Sequence, residues 1–293
     1  MKKKFLFEFL NLIKKNFNLE KKFFLHEPFF DKKDIENVND CIKSTFVSTS
    51  GKYSDLFEKK LKKYTKSKYV ISTINGTSAI HAILKLLLIG KNDEVLIPSL
   101  SFVATANAVI YCDATPNFVD VSKKNFGVDP LKLDNYLSKN CIIKNKKCFN
   151  KKTKKYIKAL ICVHIFGHAC EVEKLKKICK KYKILLVEDA AEAIGSFYKK
   201  KHLGTFGDAG ILSFNGNKTI TTGGGGAILL PKKKKYLKAL KLVSTAKEDH
   251  PYEYNYKFLG YNYRLPSINA SLGISQLKNI NKIIKKKRDN FKF

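Results

Sequence analysis

The chain has 293 residues, of which 44% are hydrophobic and 12% aromatic, so wholesale disorder is excluded. No stretch approaches the roughly 20 apolar residues that a membrane-spanning helix needs, and we expect no membrane partner. The formal net charge is +32, but only Arg264 and Arg288 are arginines, which suit guanine and phosphate best, so we expect a lysine-rich surface and no nucleic-acid partner.

The N-terminal arm, residues 1–30, begins with three lysines and an apolar run. Glu8 and Asn11 interrupt this run over Met1–Leu12, and no small-residue cleavage site follows it. The pattern is typical of an amphipathic helix and not of a signal peptide. We therefore expect a cytoplasmic protein.

Beyond the arm, predicted helices and strands alternate along the chain. Apolar residues recur at helical spacing around Ile35–Ile42, Leu56–Tyr64, Ile80–Leu88, Ser101–Cys112, Val172–Tyr182 and Ile274–Ile280. Short apolar runs predict strands at Tyr69–Thr73, Glu94–Pro98, Pro116–Val121, Ala159–Phe166, Ile184–Ala190, Ile211–Asn215 and Ala227–Leu230. The lysine-rich stretch Lys144–Lys155 has no packing period and is predicted to be a loop. Strands that are apolar along their whole length predict an α/β sheet buried on both faces, with function at the carboxyl ends of strands.

The seven cysteines contain neither a CxxC pair nor the spacing of metal ligands. In a chain without a secretion signal, we expect them to be reduced and mostly buried. His164 and His168 flank the end of a predicted strand without an identified partner, so we expect them to be core or loop residues. We predict no metal site.

The first of three candidate functional groups is the turn Asn75–Ser78 before a predicted helix. It offers free backbone N–H groups, hydroxyls and the positive end of the helix, which together suit a phosphate. An ordinary helix cap, with Thr77 or Ser78 at the N-cap and Gly90 at the C-terminus, is the commoner explanation of such a turn.

The other two groups follow later strands. Glu188 and Asp189 could bind a metal, a ribose or a cationic ring, or could simply form a solvated strand end. Lys218 lies between a buried strand and the run Gly223–Gly226, which suggests a backbone that approaches a ligand.

Neither common nucleotide motif fits the lysine segment. Asn217 separates Gly216 from Lys218, so the P-loop pattern GxxxxGK[ST] fails, and Ile228 occupies the last glycine position of GxGxxG. A phosphate cup, a strand-end acid and a strand-end lysine together match what pyridoxal phosphate needs: a phosphate anchor, a partner for the ring nitrogen and an amine for covalent attachment.

Five segments resemble the DegT/DnrJ/StrS sugar aminotransferases and occur in the family's order. They are NGTSAIHAILKL, PSLSFVATANAVIYCDATPNFVDV, VEDAAEAIGSF, GTFGDAGILSFNGNKTITTGGGG and GYNYRLPSINASLG. The resemblance covers Phe29 to Gln276 and implies the type I pyridoxal-phosphate transferase fold, an aspartate-aminotransferase-like α/β fold with a mainly parallel sheet. LHEPFF and AKEDHPYEYNYKFLGYNYRLP are most similar to enzymes of legionaminic-acid and bacillosamine-type pathways. Those enzymes aminate the 4-keto group of a UDP-linked 6-deoxy N-acetylamino sugar, usually with glutamate as donor.

The resemblance also implies roles for individual residues. Lys218 would bind pyridoxal 5'-phosphate covalently and shuttle protons, and Asp189 would pair with the ring nitrogen. Glu192 would lie near the phenolic oxygen of the cofactor. Phe102 would stack on the ring, although a core phenylalanine is as probable from spacing alone. Thr77, Ser78 and Ser213 would hold the phosphate, and Asn262 would reach the phosphate in the neighbouring subunit. Gly76 is also implied to bind the cofactor.

The same resemblance implies a homodimer with shared active sites. It also implies a large cofactor-binding domain over residues 31–245 and the start of a small C-terminal domain over residues 246–293. That domain looks incomplete, so we expect the helix around Ile274–Ile280 to lack a partner for its apolar face. An inactive cofactor-binding remnant and a perosamine-type synthase remain alternatives. The 3-dehydratase branch is disfavoured because it carries histidine in place of Lys218.

Overall fold

A computed structural model of the chain describes residues 2–17, 26–49 and 51–292, and a β-sheet forms its centre. The strands are β1 (Tyr69–Thr73), β2 (Asp93–Pro98), β3 (Thr115–Val119), β4 (Cys141–Lys144), β5 (Lys147–Asn150), β6 (Tyr156–Val163), β7 (Leu185–Asp189), β8 (Phe197–Tyr198), β9 (Lys201–His202), β10 (Ala209–Ser213) and β11 (Gly226–Leu230). The α-helices are α1 (Lys2–Phe17), α2 (Lys32–Lys43), α3 (Lys52–Thr65), α4 (Gly76–Leu86), α5 (Val103–Ile110), α6 (Pro130–Asn140), α7 (Val172–Lys181), α8 (Lys233–Val243), α9 (Ser267–Lys278) and α10 (Ile280–Phe291).

Within the described residues, nine strands form one sheet whose main path is β1-β11-β10-β7-β6-β2-β3. Strands β10, β7, β6, β2 and β3 are parallel, whereas β11 is antiparallel to both of its neighbours, β1 and β10. Strand β1 therefore runs in the same direction as β10. As a result, the carboxyl ends of β1, β10, β7 and β6 meet at one edge of the sheet.

Helices cover both faces of this sheet, which explains why its strands are apolar along their length. Leu160 and Leu186 pack in a core with residues of α3, α6, α7 and α9. Their chain neighbours Ile161 and Val187 point the other way, into a core with α4, α5 and α8. The predicted α/β sheet with two buried faces is therefore present.

The lysine-rich stretch predicted to be a loop contains part of a β-hairpin, so that prediction is wrong. Strands β4 and β5 pair antiparallel, and β5 also pairs with β6 through Cys148 and Ile157. Within β5, Cys148 and Asn150 are buried, whereas Lys147, the first residue of the strand, is exposed. Because β5 has four residues and only two of them point inward, its alternation of buried and exposed residues is too short to recognise among the surrounding lysines.

Other predicted boundaries need smaller corrections. Helix α5 begins at Val103, two residues later than predicted, because Phe102 has an extended backbone. Strand β6 ends at Val163 and does not continue through the residues that follow. Leu88, at φ 58°, takes the left-handed conformation after α4, so Gly90 does not end that helix.

The predicted helix around Ile274–Ile280 is two helices, α9 and α10, which meet at Asn279. Helix α9 packs on α2 and α3, and Leu277 and Ile280 are buried in the core of one sheet face. Asp34 of α2 accepts hydrogen bonds from Ser275 and Gln276 of α9. The apolar face of α9 thus has a partner, contrary to the expectation, while the predicted domain boundaries stay a prediction.

The helix predicted over Met1–Leu12 is present as α1, which continues to Phe17; Met1 itself lies outside the described residues. None of the helices in the described part of the chain is long and apolar enough to cross a membrane.

All seven cysteines are buried and unpaired, as predicted. Within residues 2–17, 26–49 and 51–292, no three His, Cys, Asp or Glu side chains come together in a group that could hold a metal ion.

Candidate active site

One cavity of about 590 Å³ lies where the carboxyl ends of β1, β6, β7 and β10 meet the starts of α4 and α5. Seven of the nine predicted site residues line it: Gly76, Thr77, Phe102, Asp189, Glu192, Ser213 and Lys218. The sheet topology brings them together because parallel strands present their carboxyl ends at the same edge. Two predicted residues, Ser78 and Asn262, do not line this cavity.

The start of α4 forms one wall of the cavity, and Asn75 is its N-cap in place of the predicted Thr77 or Ser78. The side-chain oxygen of Asn75 accepts a hydrogen bond from the N–H of Ser78 at 2.7 Å, and the backbone carbonyl of Asn75 accepts one from the N–H of Ala79. The first N–H groups of a helix have no partner within the helix, so those of Gly76 and Thr77 remain for a ligand. The positive end of the helix dipole adds to the attraction for an anion.

Two close backbone approaches hold this turn in place. A Cβ atom at Gly76 would lie 3.2 Å from Cβ of Ser213, at the end of β10. A Cβ atom at Gly226, the first residue of β11, would lie only 2.6 Å from the carbonyl carbon and oxygen of Asn75. The glycine run therefore approaches the protein's own backbone and does not line the cavity, which corrects the interpretation of a direct ligand contact.

Asp189 is a buried carboxylate at the end of β7, only 5% exposed. Its oxygens accept hydrogen bonds from the Thr105 hydroxyl at 2.9 Å and from the Ala191 N–H at 3.1 Å. Burial raises the pKa of Asp189 above its ordinary value, although both hydrogen bonds act in the opposite direction. A cation in the cavity would stabilise the ionised form of this group.

Lys218 follows β10 and forms an ion pair with Glu192 across the cavity. Its Nζ lies 3.2 Å from Oε1 of Glu192. The other carboxylate oxygen of Glu192 accepts the N–H of Phe166 at 2.8 Å, and Phe166 has a left-handed backbone at φ 51°. Glu192 thus connects the amine to the loop after β6, so the amine is both positioned and next to a proton acceptor.

Phe102 occupies the N-cap position of α5 and is 75% exposed, with its ring at the cavity. The alternative interpretation, a core phenylalanine, is therefore wrong. An exposed aromatic ring beside Asp189 offers a flat surface on which a planar ligand can stack.

Glu188 and His164 form a buried pair that sequence reasoning missed. Their side chains are fully buried, and Nε2 of His164 lies 3.1 Å from Glu188. Glu188 also accepts the backbone N–H groups of Gly204, Phe206 and Gly207. Burial alone would raise the pKa of Glu188, but His164 and, after it, the backbone N–H groups of Gly207 and Gly204 more than compensate and lower it.

The signal for this pair is strand alternation, which turns Glu188 and Asp189 to opposite faces of the sheet. Asp189 therefore faces the cavity, while Glu188 fixes the loop 204–207 and the ring of His164, which lines the cavity. His168, in contrast, is exposed, as expected for a loop histidine.

Asn262 lies in a second cavity, of about 610 Å³, which is also lined by Glu58 and Arg264. Arg264 and Glu58 form an ion pair at 3.2 Å there. Asn262 is therefore separate from the first cavity within one chain. Its contact with the cofactor site of a neighbouring subunit stays a prediction, as do the roles of the other site residues.

Comparison with known proteins identifies sugar aminotransferases as relatives. The DegT/DnrJ/EryC1/StrS aminotransferase family matches residues 28–293. GDP-perosamine synthase of Escherichia coli O157:H7 is 36% identical over 265 residues, which are 90% of this chain and 68% of that protein. UDP-4-amino-4,6-dideoxy-N-acetyl-beta-L-altrosamine transaminase of Campylobacter jejuni is 33% identical over 261 residues, 88% of this chain and 65% of that protein.

Solved structures of the same family share the fold. Helicobacter pylori PseC, an aminotransferase involved in the biosynthesis of pseudoaminic acid, is 30% identical with a TM-score of 0.78, over 89% of this chain and 66% of that one. A DegT DnrJ EryC1 StrS aminotransferase from Brucella abortus is 27% identical with a TM-score of 0.79, over 85% and 64% of the two chains. The predicted type I transferase fold is confirmed, and the chain spans about two thirds of these relatives' lengths.

Proposed function

Because the chain belongs to the DegT/DnrJ/EryC1/StrS aminotransferase family, we propose that it uses pyridoxal phosphate to convert the 4-keto group of a nucleotide-linked 6-deoxy sugar to a 4-amino group. Glutamate is the proposed amino donor. The observation that carries the proposal is the convergence of Lys218, Asp189 and the start of α4 on one cavity. An amine, a buried acid and an anion-binding turn are the three functions that this cofactor requires.

The residues of the cavity fit the cofactor. Burial raises the pKa of Asp189, so its ionised form needs a nearby cation to stabilise it. A protonated ring nitrogen would be such a cation. The backbone N–H groups of Gly76 and Thr77, beside the hydroxyl of Ser213, suit a phosphate. Phe102 supplies an exposed aromatic face for the ring.

When bound, pyridoxal phosphate supplies a conjugated, electron-withdrawing ring that stabilises negative charge on the carbon next to the amino nitrogen. Asp189 supports this chemistry because its negative charge favours protonation of a nearby nitrogen. Lys218 is the proposed attachment point, and its Nζ atom, once uncharged, can take a proton from one carbon and return it to another. Glu192 Oε1, 3.2 Å from that Nζ atom, can accept the proton that the amine must lose first.

The nucleotide of the substrate is open between two candidates. The resemblance to legionaminic-acid and bacillosamine-type enzymes supports a UDP-linked N-acetylamino sugar, as does the similarity to the Campylobacter transaminase. A GDP-linked sugar is the second candidate, and the 36% identity to GDP-perosamine synthase favours it. Either substrate is an anion, which the net charge of +32 would attract.

We further propose a homodimer in which Asn262 reaches the phosphate of the partner's cofactor. Its place in a cavity apart from Lys218 is consistent with such sharing, because Asn262 does not line the Lys218 cavity of its own chain.

The proposal is tested by the absorbance spectrum of the purified protein with pyridoxal phosphate, before and after glutamate is added. We expect a yellow lysine-bound form that glutamate bleaches, and no such form in Lys218→Ala. Lys123→Ala, which removes an exposed lysine away from the cavity, is the matched control. Circular dichroism of each variant establishes that it is folded.

A yellow species that glutamate leaves unchanged would identify a cofactor-binding remnant without turnover. If Lys218→Ala still gave a borohydride-reducible linkage and turned over, the assignment of Lys218 would be wrong. The nucleotide is then identified from kcat/KM values for GDP- and UDP-linked 4-keto-6-deoxy sugars. A preference of more than about tenfold, equivalent to 1.4 kcal/mol, would select one of the two.

A further inference from the structure

Helix α1 exposes an apolar surface that the proposed function does not use. It precedes residues 28–293, which match the aminotransferase family. Its large apolar side chains are between 46% and 71% exposed at Phe5, Leu6, Phe7, Phe9 and Leu10. Apolar side chains concentrated in one short helix indicate a docking surface and not scattered surface residues.

Most of these side chains lie on one side of the helix. Phe5 and Phe9 are one turn apart, and their rings stack with centroids at 6.3 Å. Leu6, Leu10 and Ile13 form the adjacent row. Leu6 and Leu10 are four residues apart and Leu10 and Ile13 are three apart, which places all three on one side of a helix. The two rows together make a continuous apolar face, which we name the α1 apolar face.

The opposite side of α1 is cationic. Phe7 lies there, in a row with Lys3 and Lys14, which are four residues before it and seven after it. Helix α1 contains five lysines and one glutamate, a formal charge of +4. A surface that covers the α1 apolar face must therefore also tolerate a concentration of lysines. A second copy of the same helix would bring like charges together, whereas an anionic lipid surface would neutralise them.

The dimensions of α1 exclude a transmembrane position. Its 16 residues make a helix of about 24 Å at 1.5 Å per residue, shorter than a hydrocarbon core of about 30 Å. A short helix with an apolar face and a lysine-rich opposite face is suited to lie in the plane of a membrane surface. The expectation of no membrane partner rests on the lack of a spanning segment, and a helix that lies on the surface needs none.

We propose that α1 binds the surface of an anionic membrane, with the α1 apolar face inserted among the lipids and its lysines at the headgroups. This inference does not depend on the proposed catalytic function, because α1 contributes no residue to the cavity of Lys218.

The test is flotation of the full chain with vesicles of phosphatidylcholine alone or with 30% phosphatidylglycerol. We expect the wild-type protein to bind the anionic vesicles, and Phe5→Glu/Phe9→Glu to bind them at least about tenfold more weakly. Transfer of about half of one phenylalanine side chain from water into lipid is worth about fivefold in binding on the usual scale of apolar burial. A doubly charged change on the cationic side, Phe7→Glu/Asn11→Glu, is the matched control, since it alters net charge equally but leaves the α1 apolar face intact.

The charge-matched control is needed because a protein of net charge +32 could adsorb to anionic vesicles through its body alone. Equal binding of the two double variants would mean adsorption by charge alone and would overturn the proposal. Absence of wild-type binding to anionic vesicles would overturn it as well. So would a dimer, measured by light scattering without lipid, that only Phe5→Glu/Phe9→Glu dissociates, because a second copy would then cover the face. All these side chains are exposed, so we expect each variant to keep its melting temperature.

Discussion

We expect the negative charge of Asp189 to lower the stability of the cofactor-free protein but to strengthen cofactor binding. Burial raises its pKa above the ordinary value of 3.8, so the folded state holds this proton more tightly than the unfolded state. The resulting stability is complete below pH 3.8 and is lost as the pH rises through the folded-state pKa. At pH 8, far above the ordinary value, the Asp189 carboxyl group therefore makes the cofactor-free protein less stable than it would be with this group uncharged in both states. We predict that Asp189→Asn stabilises that form while weakening the binding of pyridoxal phosphate.

The structure indicates that asparagine fits without loss of hydrogen bonds. Its carbonyl oxygen can accept the Ala191 N–H, now at 3.1 Å, and its NH₂ group can donate to the Thr105 hydroxyl, now at 2.9 Å. What is lost is the attraction for a cation. An opposite charge at about 4–6 Å shifts a carboxyl pKa by about 1–3 units, at about 1.4 kcal/mol for each unit. We therefore expect the dissociation constant of pyridoxal phosphate to rise about 10- to 1000-fold.

Urea unfolding at pH 8, with and without pyridoxal phosphate, measures both effects, and a cofactor titration measures the dissociation constant. Asp113→Asn, which changes an exposed aspartate, is the control and should match the wild type. A cofactor-free Asp189→Asn protein that is less stable than the wild type, together with unchanged cofactor affinity, would refute the reasoning.

Three further substitutions test one residue that lines the cavity and two residues that support it from behind. Phe102→Ala should leave the cofactor-free protein within about 0.5 kcal/mol of the wild type, since Phe102 is exposed, and weaken cofactor binding about 2- to 12-fold; equal affinities would argue against stacking. Glu188→Ala should lower the free energy of unfolding by about 3 kcal/mol or more, because buried donors lose their acceptor. Since the pKa of Glu188 is lowered, its contribution is present above about pH 4.5 and lost as the pH falls, so urea unfolding from pH 3 to 7 should show a flatter acid limb in the variant. Gly226→Ala should lower the free energy of unfolding by about 1–3 kcal/mol, because the added methyl group collides with the backbone of Asn75, and it should weaken cofactor binding. Gly224→Ala should do neither, because its added Cβ would lie 3.8 Å from the nearest atom, the backbone oxygen of Ile74.

The location of the site was predictable because chemistry-bearing residues follow buried strands. Asp189 and Ser213 end apolar runs, and Lys218 follows one of them. A parallel sheet brings such strand ends together whatever the loops do. The combination of a turn suited to phosphate, a strand-end acid and a strand-end lysine indicated pyridoxal phosphate, and the resemblance to the sugar aminotransferases implied the same cofactor.

Features that depend on contacts distant in sequence were not predictable. Asn75 competes with Thr77 and Ser78 for the N-cap, and only the backbone conformation decides among them. Strand alternation indicates that Glu188 and Asp189 face opposite sides of the sheet, but the partner of Glu188 is His164, in the segment after β6, and neither residue reveals that pairing alone. The α9 packing was missed for the same reason, because its partners lie near the other end of the matched region.

The position of β11 has a consequence for how the protein is made. Among the strands that the structure describes, β1 has β11 as its one neighbour in the sheet, where Tyr69 pairs with Leu230. During synthesis, β1 and the turn at the start of α4 leave the ribosome early, but β1 stays unpaired until β11 follows. Closing so long a loop is slow, so this edge of the sheet should be the last to assemble. The close approach of Gly226 to the backbone of Asn75 forms at the same moment, so the turn at the start of α4 is also completed late.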